Sequence, residues 1–184
     1  MRHRDELLSS GRESRSQAFD WEHLQAEWAG RQMQFVPDSL PTEVEMRYVV
    51  VLIGDGQGRF LLAHIDGRGY CAPSGHIEPS ETAEQAARRE AYEETGAVIN
   101  ALELIGFYRL LPCSPDESGE CIAPVFLAQI DRLEPVPNGS ESRGVRWATL
   151  EEMPQLYYQW SPLLEAVFRY ASARIEQARD ERQD

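Results

Sequence analysis

The chain is short of nearly everything that marks a membrane, secreted or nucleic-acid-binding protein. No apolar run approaches the roughly 18 residues a spanning helix needs, and the N-terminal MRHRDELLSSGRES has no apolar stretch of the signal-peptide kind. Cysteine is scarce. Cys71, Cys113 and Cys121 are odd in number and share no metal-ligand spacing, which argues against a disulfide framework or a cysteine metal site. Positive charge is scarce too: 18 Lys and Arg against 31 Asp and Glu leave a formal charge of −13, a poor match for nucleic acid or an anionic membrane. No internal repeat or low-complexity segment is present. The expectation is a soluble, cytoplasmic protein with reduced thiols and one domain's worth of chain in 184 residues.

Acid is abundant, and it is concentrated. Between Gly75 and Ala97 the sequence reads GHIEPSETAEQAARREAYEETGA. Pro79, Ser80 and Thr82 supply turn and capping chemistry, and no Gly or Pro interrupts the run from Thr82 to Thr95, so that run is expected to be helical and to stop at Gly96. Ala83, Ala87 and Ala91 recur every four residues as a narrow face suited to close packing on a sheet. Glu90 and Glu94 share another face, with Glu93 beside them. Like charges at this spacing repel in an isolated helix, so the arrangement points to a use. A hard divalent cation provides one, because Mg²⁺ takes oxygen ligands, keeps several waters and is commonly held by one or two carboxylates together with substrate phosphates. Gly75 lets backbone approach a ligand closely, and Arg89 is placed to orient a neighbouring carboxylate. Glu84 reads as an ordinary solvated acid.

The order Gly75, five residues, Glu81, seven residues, Arg89-Glu90, Ala91, one residue, Glu93-Glu94, one residue, Gly96, Ala97 resembles the Nudix box at every fixed position. The only departure is alanine at 91 and 97, where a bulkier aliphatic is usual. The resemblance implies an α/β Nudix fold, a mixed β-sheet sandwiched between α-helices. It also implies metal-dependent hydrolysis of a pyrophosphate bond in a nucleoside diphosphate linked to another moiety, with Mg²⁺ or Mn²⁺ as cofactor and a small-molecule nucleotide as partner. Carried onto this sequence, it assigns Glu90 and Glu94 to the metal, helped by the Ser74 carbonyl and by Glu81. Glu93 goes to the outer metal shell or to proton transfer, Arg89 to holding the acids, and Gly75 and His76 to the substrate.

A further acid often comes from a later loop in this family, and Glu120 and Glu141 are the candidates. Glu141 precedes Trp147 by six residues, where relatives carry a loop glutamate that serves as base or extra ligand. Glu120 lies in SPDESGECIAPVFLA, similar to a segment of ADP-ribose pyrophosphatases, and Pro112 stands where that subgroup tends to have proline. ADP-ribose or a nucleotide sugar is therefore the favoured substrate, with a nucleoside di- or triphosphate phosphatase or a non-catalytic nucleotide sensor as alternatives. Cys71 would matter in an isopentenyl-diphosphate isomerase, but the intact box speaks against that family.

Around the box, Met46 to Ile53 reads as a buried strand, and a glycine-rich turn leads into RFLLAHI as a hairpin partner. Further strands are expected at 101–111, 121–130 and 144–147. Thr149 to Glu152 reads as a capping box, and Ser161-Pro162 opens a helix whose Leu163, Leu164, Val167, Phe168, Ala171 and Ile175 form a core stripe. Phe19, Trp21, Leu24 and Trp28 suggest an amphipathic helix from about Asp20. A linker through Pro37 and Pro41 would follow, the apolar face packing on the domain or on a second subunit as a homodimer. The expected division is an N-terminal extension and linker over 1–43, a Nudix domain over 44–178 and a frayed charged tail over 179–184.

Overall fold

The structure, a computed structural model, describes residues 19–112 and 119–181. Cys113 and the Ser114 to Ser118 part of the ADP-ribose pyrophosphatase-like segment lie outside the described residues.

Period-two alternation decides the layers. Along strand β4 (Tyr48–Gly54) Val49, Val51 and Ile53 belong to one apolar cluster, and Val50 and Leu52 to another on the opposite face. Strands β5 (Arg59–Ile65) and β9 (Cys121–Leu133) repeat the pattern, Leu61, Phe126 and Ala128 facing one way and Phe60, Leu62, Val125 and Leu127 the other. Successive strand side chains point to opposite faces, so a sheet apolar on both must be covered twice. Helix α1 (Ala83–Thr95) covers one face with Ala86, Ala87 and Ala91, and α3 (Pro162–Asp180) covers the other with Leu163, Val167 and Phe168. A one-turn α2 (Met153–Leu156) precedes α3. The expected sandwich of a mixed sheet between helices is thus present.

The remaining strands are β1 (Ala26–Trp28), β2 (Arg31–Pro37), β3 (Glu45–Met46), β6 (Gly69–Cys71), β7 (Ser74–His76), β8 (Ala97–Leu111) and β10 (Ser142–Thr149). The main path runs β1-β2-β8-β9-β4-β5-β10, with β3 beside β9, β6 beside β5 and β7 beside β4. Pairing of β9 with β4 and β3 is parallel, and the other pairings are antiparallel.

The helix expected from about Asp20 is not found: among the described residues a turn there leads into the β1–β2 hairpin, and β2 pairs with β8 along Gln32 to Pro37. Ala29 and Gly30 both have positive φ, 52° and 73°, the conformation of a two-residue hairpin turn whose twist suits the strands on either side. Met33 and Phe35 are buried while Gln32 and Gln34 are not, the period of a strand. The aromatics read as a helical face each have their own anchor: Trp21 lies 4.9 Å from Phe35 and 5.8 Å from Tyr170, and Trp28 lies 5.1 Å from Tyr48. The supposed linker is therefore sheet as far as Pro37, with residues 38–44 outside the strands, and this apolar surface packs on its own chain. Two smaller differences lie near the C-terminus. Glu152 accepts the Thr149 N–H at 2.9 Å, yet the helix that follows is a single turn. Helix α3 continues to Asp180, past the point where fraying was expected.

The N-terminal segment is tied to α3 by charge as well as by rings. Arg174, 6% exposed, donates to Asp38 Oδ1 at 2.6 Å and to Glu103 of β8, and the Tyr170 hydroxyl donates to Asp38 Oδ2 at 2.7 Å. Removing the guanidinium leaves two carboxylates short of their counter-charge in a half-buried setting. Arg174→Ala is expected to cost about 3 kcal/mol, read as a lower urea midpoint at unchanged slope. A midpoint within experimental error of the unmodified chain would refute this role.

Candidate active site

The site begins with a glycine. Gly75 in β7 pairs with Val49 of β4, and a methyl group at its Cα would fall inside the Glu90 carboxylate. Glycine here leaves the Glu90 carboxylate where it is; any side chain at 75 would require it to move. The helix is fixed at both ends: Thr82 Oγ1 accepts the Gln85 N–H at 3.2 Å while Gln85 Oε1 accepts the Thr82 N–H at 2.8 Å, and Gly96 ends it in the left-handed conformation. Buried Ala86, Ala87 and Ala91 seat the helix against the sheet. That seating turns Glu90 and Glu94, one helical turn apart, toward β7.

Arg89 is the hub of the acids. Its guanidinium donates to both Glu81 oxygens at 2.9 Å, to Glu90 Oε1 at 2.7 Å, to Glu93 Oε2 at 3.3 Å and to the His76 carbonyl at 2.8 Å. These bonds, those to Glu81 above all, hold it protonated. Glu81 does not line the cavity beside Glu90 and Glu94. With both oxygens on Arg89 and one also accepting the Glu78 N–H at 3.1 Å, it stands as the anchor of Arg89, away from the position of a metal ligand.

Glu94 is held from the other side, accepting the Ser74 N–H at 3.0 Å. Burial pushes its carboxyl up to about 8; the charges of Glu90 and Glu141 add to the rise, while the Ser74 amide and Arg68 oppose it. Burial also raises Glu90, against the opposing pull of Arg89. Two desolvated carboxylates under mutual strain are stabilised by a cation between them. Among the described residues no three His, Cys, Asp or Glu side chains converge as a closed ligand cluster. The donor set that fits is Glu90, Glu94 and backbone oxygen of the Ser74 strand, which leaves positions for water and phosphate, as Mg²⁺ prefers.

These groups line one end of a cavity of about 1120 Å³, ample for a nucleotide. Glu141 lines the same cavity, and its charge acts on Glu94. Gly75 and His76 line it as well, the His76 ring lying 4.5 Å from Tyr48. Glu120 does not: it forms a 2.8 Å ion pair with Arg109 outside the cavity. Cys71 lines the wall, but burial, with Glu94 adding, pushes its thiol up to about 12, so it offers no thiolate for isomerase-type chemistry.

One residue escaped sequence reasoning. Arg68 lines the cavity on the β5–β6 turn, and its charge reaches both Glu94 and Cys71. Among the described residues no carboxylate lies within ion-pair distance of it, whereas the cavity's other arginine, Arg89, has its donors engaged. The Asp66-Gly67 pair announces a turn, but nothing in the sequence says that the turn delivers a cation to the acids.

Comparison with known proteins identifies the family. A family model described as NUDIX domain matches residues 44–169. YtkD of Bacillus subtilis (strain 168), provisionally named an 8-oxo-dGTP diphosphatase, is 35% identical over 107 residues, which are 58% of this chain and 65% of YtkD. The phosphatase NudJ of Escherichia coli (strain K12) is 29% identical over 130 residues, 68% of this chain and 83% of NudJ. Among solved structures, a mutant of the Bacillus subtilis pyrophosphohydrolase BsRppH superposes with a TM-score of 0.64 at 26% identity, covering 83% of this chain and 94% of that one.

A carboxyl whose pKa is higher in the folded chain than in the unfolded one makes the folded chain bind more protons. Its favourable contribution is complete below about 4.5 and is lost as pH rises through about 8. In the presence of EDTA, Glu94→Gln is therefore expected to flatten the fall of the melting temperature between pH 5 and pH 9, and to melt higher than the unmodified chain at pH 9. Parallel curves for the two proteins would contradict the assignment of Glu94 as a strained, desolvated acid.

Proposed function

The chain belongs to the Nudix family of pyrophosphohydrolases, and we propose that its site hydrolyses a phosphoanhydride bond of a nucleoside triphosphate with the help of Mg²⁺ or Mn²⁺. The observation that carries this reading is the pairing of Glu90, pressed on Gly75, with Glu94, held by the Ser74 amide, at the end of a nucleotide-sized cavity. The triphosphate class is supported by the name of YtkD, an 8-oxo-dGTP diphosphatase, while that of BsRppH, a pyrophosphohydrolase, supports the cleavage of a phosphoanhydride bond. The ADP-ribose reading leaned on Glu120, which is engaged with Arg109 outside the cavity, and it takes second place.

Glu90, Glu94 and the Ser74 carbonyl would hold the cation, which neutralises phosphate charge and lowers the pKa of bound water. Arg89 keeps the carboxylates aimed, with Glu81 fixing Arg89 from behind and Glu93 in the outer shell. Glu141 takes the proton from the attacking water. It lines the cavity and has no ion-pair partner among the described residues, whereas Glu93 already accepts from Arg89. Arg68 binds the phosphate oxygens, supplying the positive charge that this acidic cavity otherwise lacks. A cytoplasmic setting fits such a substrate. Among the described residues no helix is long and apolar enough to cross a membrane.

The test is phosphate or pyrophosphate release from nucleoside triphosphates, ADP-ribose and nucleotide sugars with Mg²⁺ or Mn²⁺ and with EDTA. Triphosphates are expected to lead, with no turnover in EDTA. Turnover confined to ADP-ribose or nucleotide sugars would overturn the substrate class, and tight binding without turnover of any compound would indicate a sensor. Glu94→Gln is expected to lower kcat by at least about 100-fold with the fold intact, and Glu141→Gln by about 100-fold or more. Arg68→Ala is expected to act mainly on KM, raising it roughly tenfold for triphosphates. Near-normal rates in Glu94→Gln would remove the metal assignment.

A further inference from the structure

Glu141 stands on a thin part of the cavity wall. Together with Ser140 it lines both the main cavity and a shallow groove outside it, whose other walls are Asp66, Gly67 and Arg143. Glu141 is exposed, and it ends the connection 134–141 between β9 and β10. A carboxylate on such a lip has many positions open to it. Proton transfer needs one, within hydrogen-bond reach of the attacking water.

Three features narrow the choice. The Asp66 N–H in the β5–β6 turn donates to the Glu141 carbonyl at 3.1 Å, and the Asp66 carboxylate pairs with the Arg143 guanidinium. Glu141 is therefore gripped at its own backbone and, two residues on, through an ion pair to the same turn residue. Between these ties β10 carries a bulge: Ser142 pairs with Ile65 and Val145 with Ala63, so Arg143 and Gly144 stand opposite His64 alone. Ser142 and Val145 thus share a face that strict alternation would deny them, and the bulge decides from which side Glu141 leaves the strand. Gly144 takes φ 152°, and the Ser142 hydroxyl donates to its carbonyl at 3.0 Å. The turn that grips the lip is fixed independently. The Arg68 N–H closes it on the Ile65 carbonyl at 3.1 Å, Gly67 supplies a positive φ of 74°, and β6 pairs back along β5.

We infer that Asp66 and Arg143 are positioning residues for the reaction, clamping the lip that carries Glu141 to the turn that carries Arg68. This rests on the reading of Glu141 as the base given above. Neither residue of the pair lines the main cavity, so the pair acts through Glu141. Their side chains are 62% and 63% exposed, and an ion pair so exposed adds little to folding stability. Its effect is on geometry, where a displacement of about 1 Å can cost on the order of 100-fold in rate.

The test is steady-state hydrolysis of a nucleoside triphosphate with Mg²⁺ by the full chain, beside amide hydrogen exchange read by mass spectrometry. Arg143→Ala is expected to lower kcat about tenfold while KM stays within about twofold, because Arg68 keeps its turn. Its melting temperature is expected to stay close to that of the unmodified chain. Loss of positive charge alone would act on KM instead. Asp66→Ala is expected to match Arg143→Ala in kcat, and Arg143→Lys to recover most of the rate. Added to Glu141→Gln, Arg143→Ala is expected to change kcat by less than about twofold, since the group it positions is gone. Exchange at residues 138–143 is expected to quicken in Arg143→Ala, with α1 and β4 unchanged. A normal kcat in Arg143→Ala beside an impaired Glu141→Gln, a full further loss in the double variant, or unmoved exchange would overturn the inference alone. A normal rate in Glu141→Gln would remove the base and the inference with it. Quickened exchange in a chain that hydrolyses no triphosphate would support the clamp while refuting the proposed reaction.

Discussion

The closeness of α1 to β7 at Gly75 is the constraint on which the site depends. A helix carrying Glu90, Glu93 and Glu94 has no intrinsic reason to bring them near a strand, since each carboxylate prefers water. Burial of Ala86, Ala87 and Ala91 supplies the force, and the missing side chain at Gly75 supplies the room. The seating leaves Glu90 desolvated and Glu94 dependent on the Ser74 amide. Arg89 then keeps the helix from being forced off by its own charge, because one guanidinium reaches Glu81, Glu90, Glu93 and a β7 carbonyl. Arginine suits this position where lysine would not, since a planar fork can meet several acceptors at fixed angles.

The box, α1 and most of the sheet were legible because local chemistry and tertiary demand coincide there. Thr82 and Gly96 are caps by type, and the alternating β-branched run in β4 allows little except a strand buried on both faces. The N-terminal segment failed for the opposite reason. Phe19, Trp21, Leu24 and Trp28 happen to fall at helical spacing, and the deciding signal, Ala29-Gly30, is a much weaker hairpin mark than Asn-Gly. What settles that segment is the open edge of β8, a distant partner such as Leu111 for Gln32 that no local pattern can announce. Arg68 was missed on the same grounds, and the anchoring of Arg89 by Glu81 was not foreseen. Spacing placed Glu81 among acids without revealing that Arg89 occupies both its oxygens, and it left Arg68 as one arginine among many.

Charge poses a second question, since a chain of formal charge −13 is read here as binding a polyanion. Net charge governs distant steering, but the contact is decided within a few ångströms, where screening matters less and desolvation more. At that range the cavity carries Arg68 opposite a pair of raised carboxyls that a divalent cation would neutralise. An acidic surround then disfavours anions that arrive without a metal, while a metal-bound phosphate meets both the carboxylates and the guanidinium. In the proposed reaction the excess of acid would act as a filter for the complexed substrate over the free one.

The sheet joins the two halves of this arrangement. β7, which carries the box glycine, hangs on β4, while β2 extends the sheet at its far edge through β8 and brings the hairpin over the same cavity. The Arg174, Asp38 and Tyr170 cluster fastens the end of β2 to α3, so the hairpin rests on an anchored strand, with its tip only a two-residue turn. The Gly75 contact and the hairpin are therefore built on separate pieces of one sheet. Changes in Trp28 or the Ala29-Gly30 tip alter the wall without disturbing the packing of α1, because α1 meets the other face of the sheet. Changes at the N-terminal edge therefore leave the Gly75 and Glu90 contact as it is, whereas a side chain at 75 itself would displace the Glu90 carboxylate.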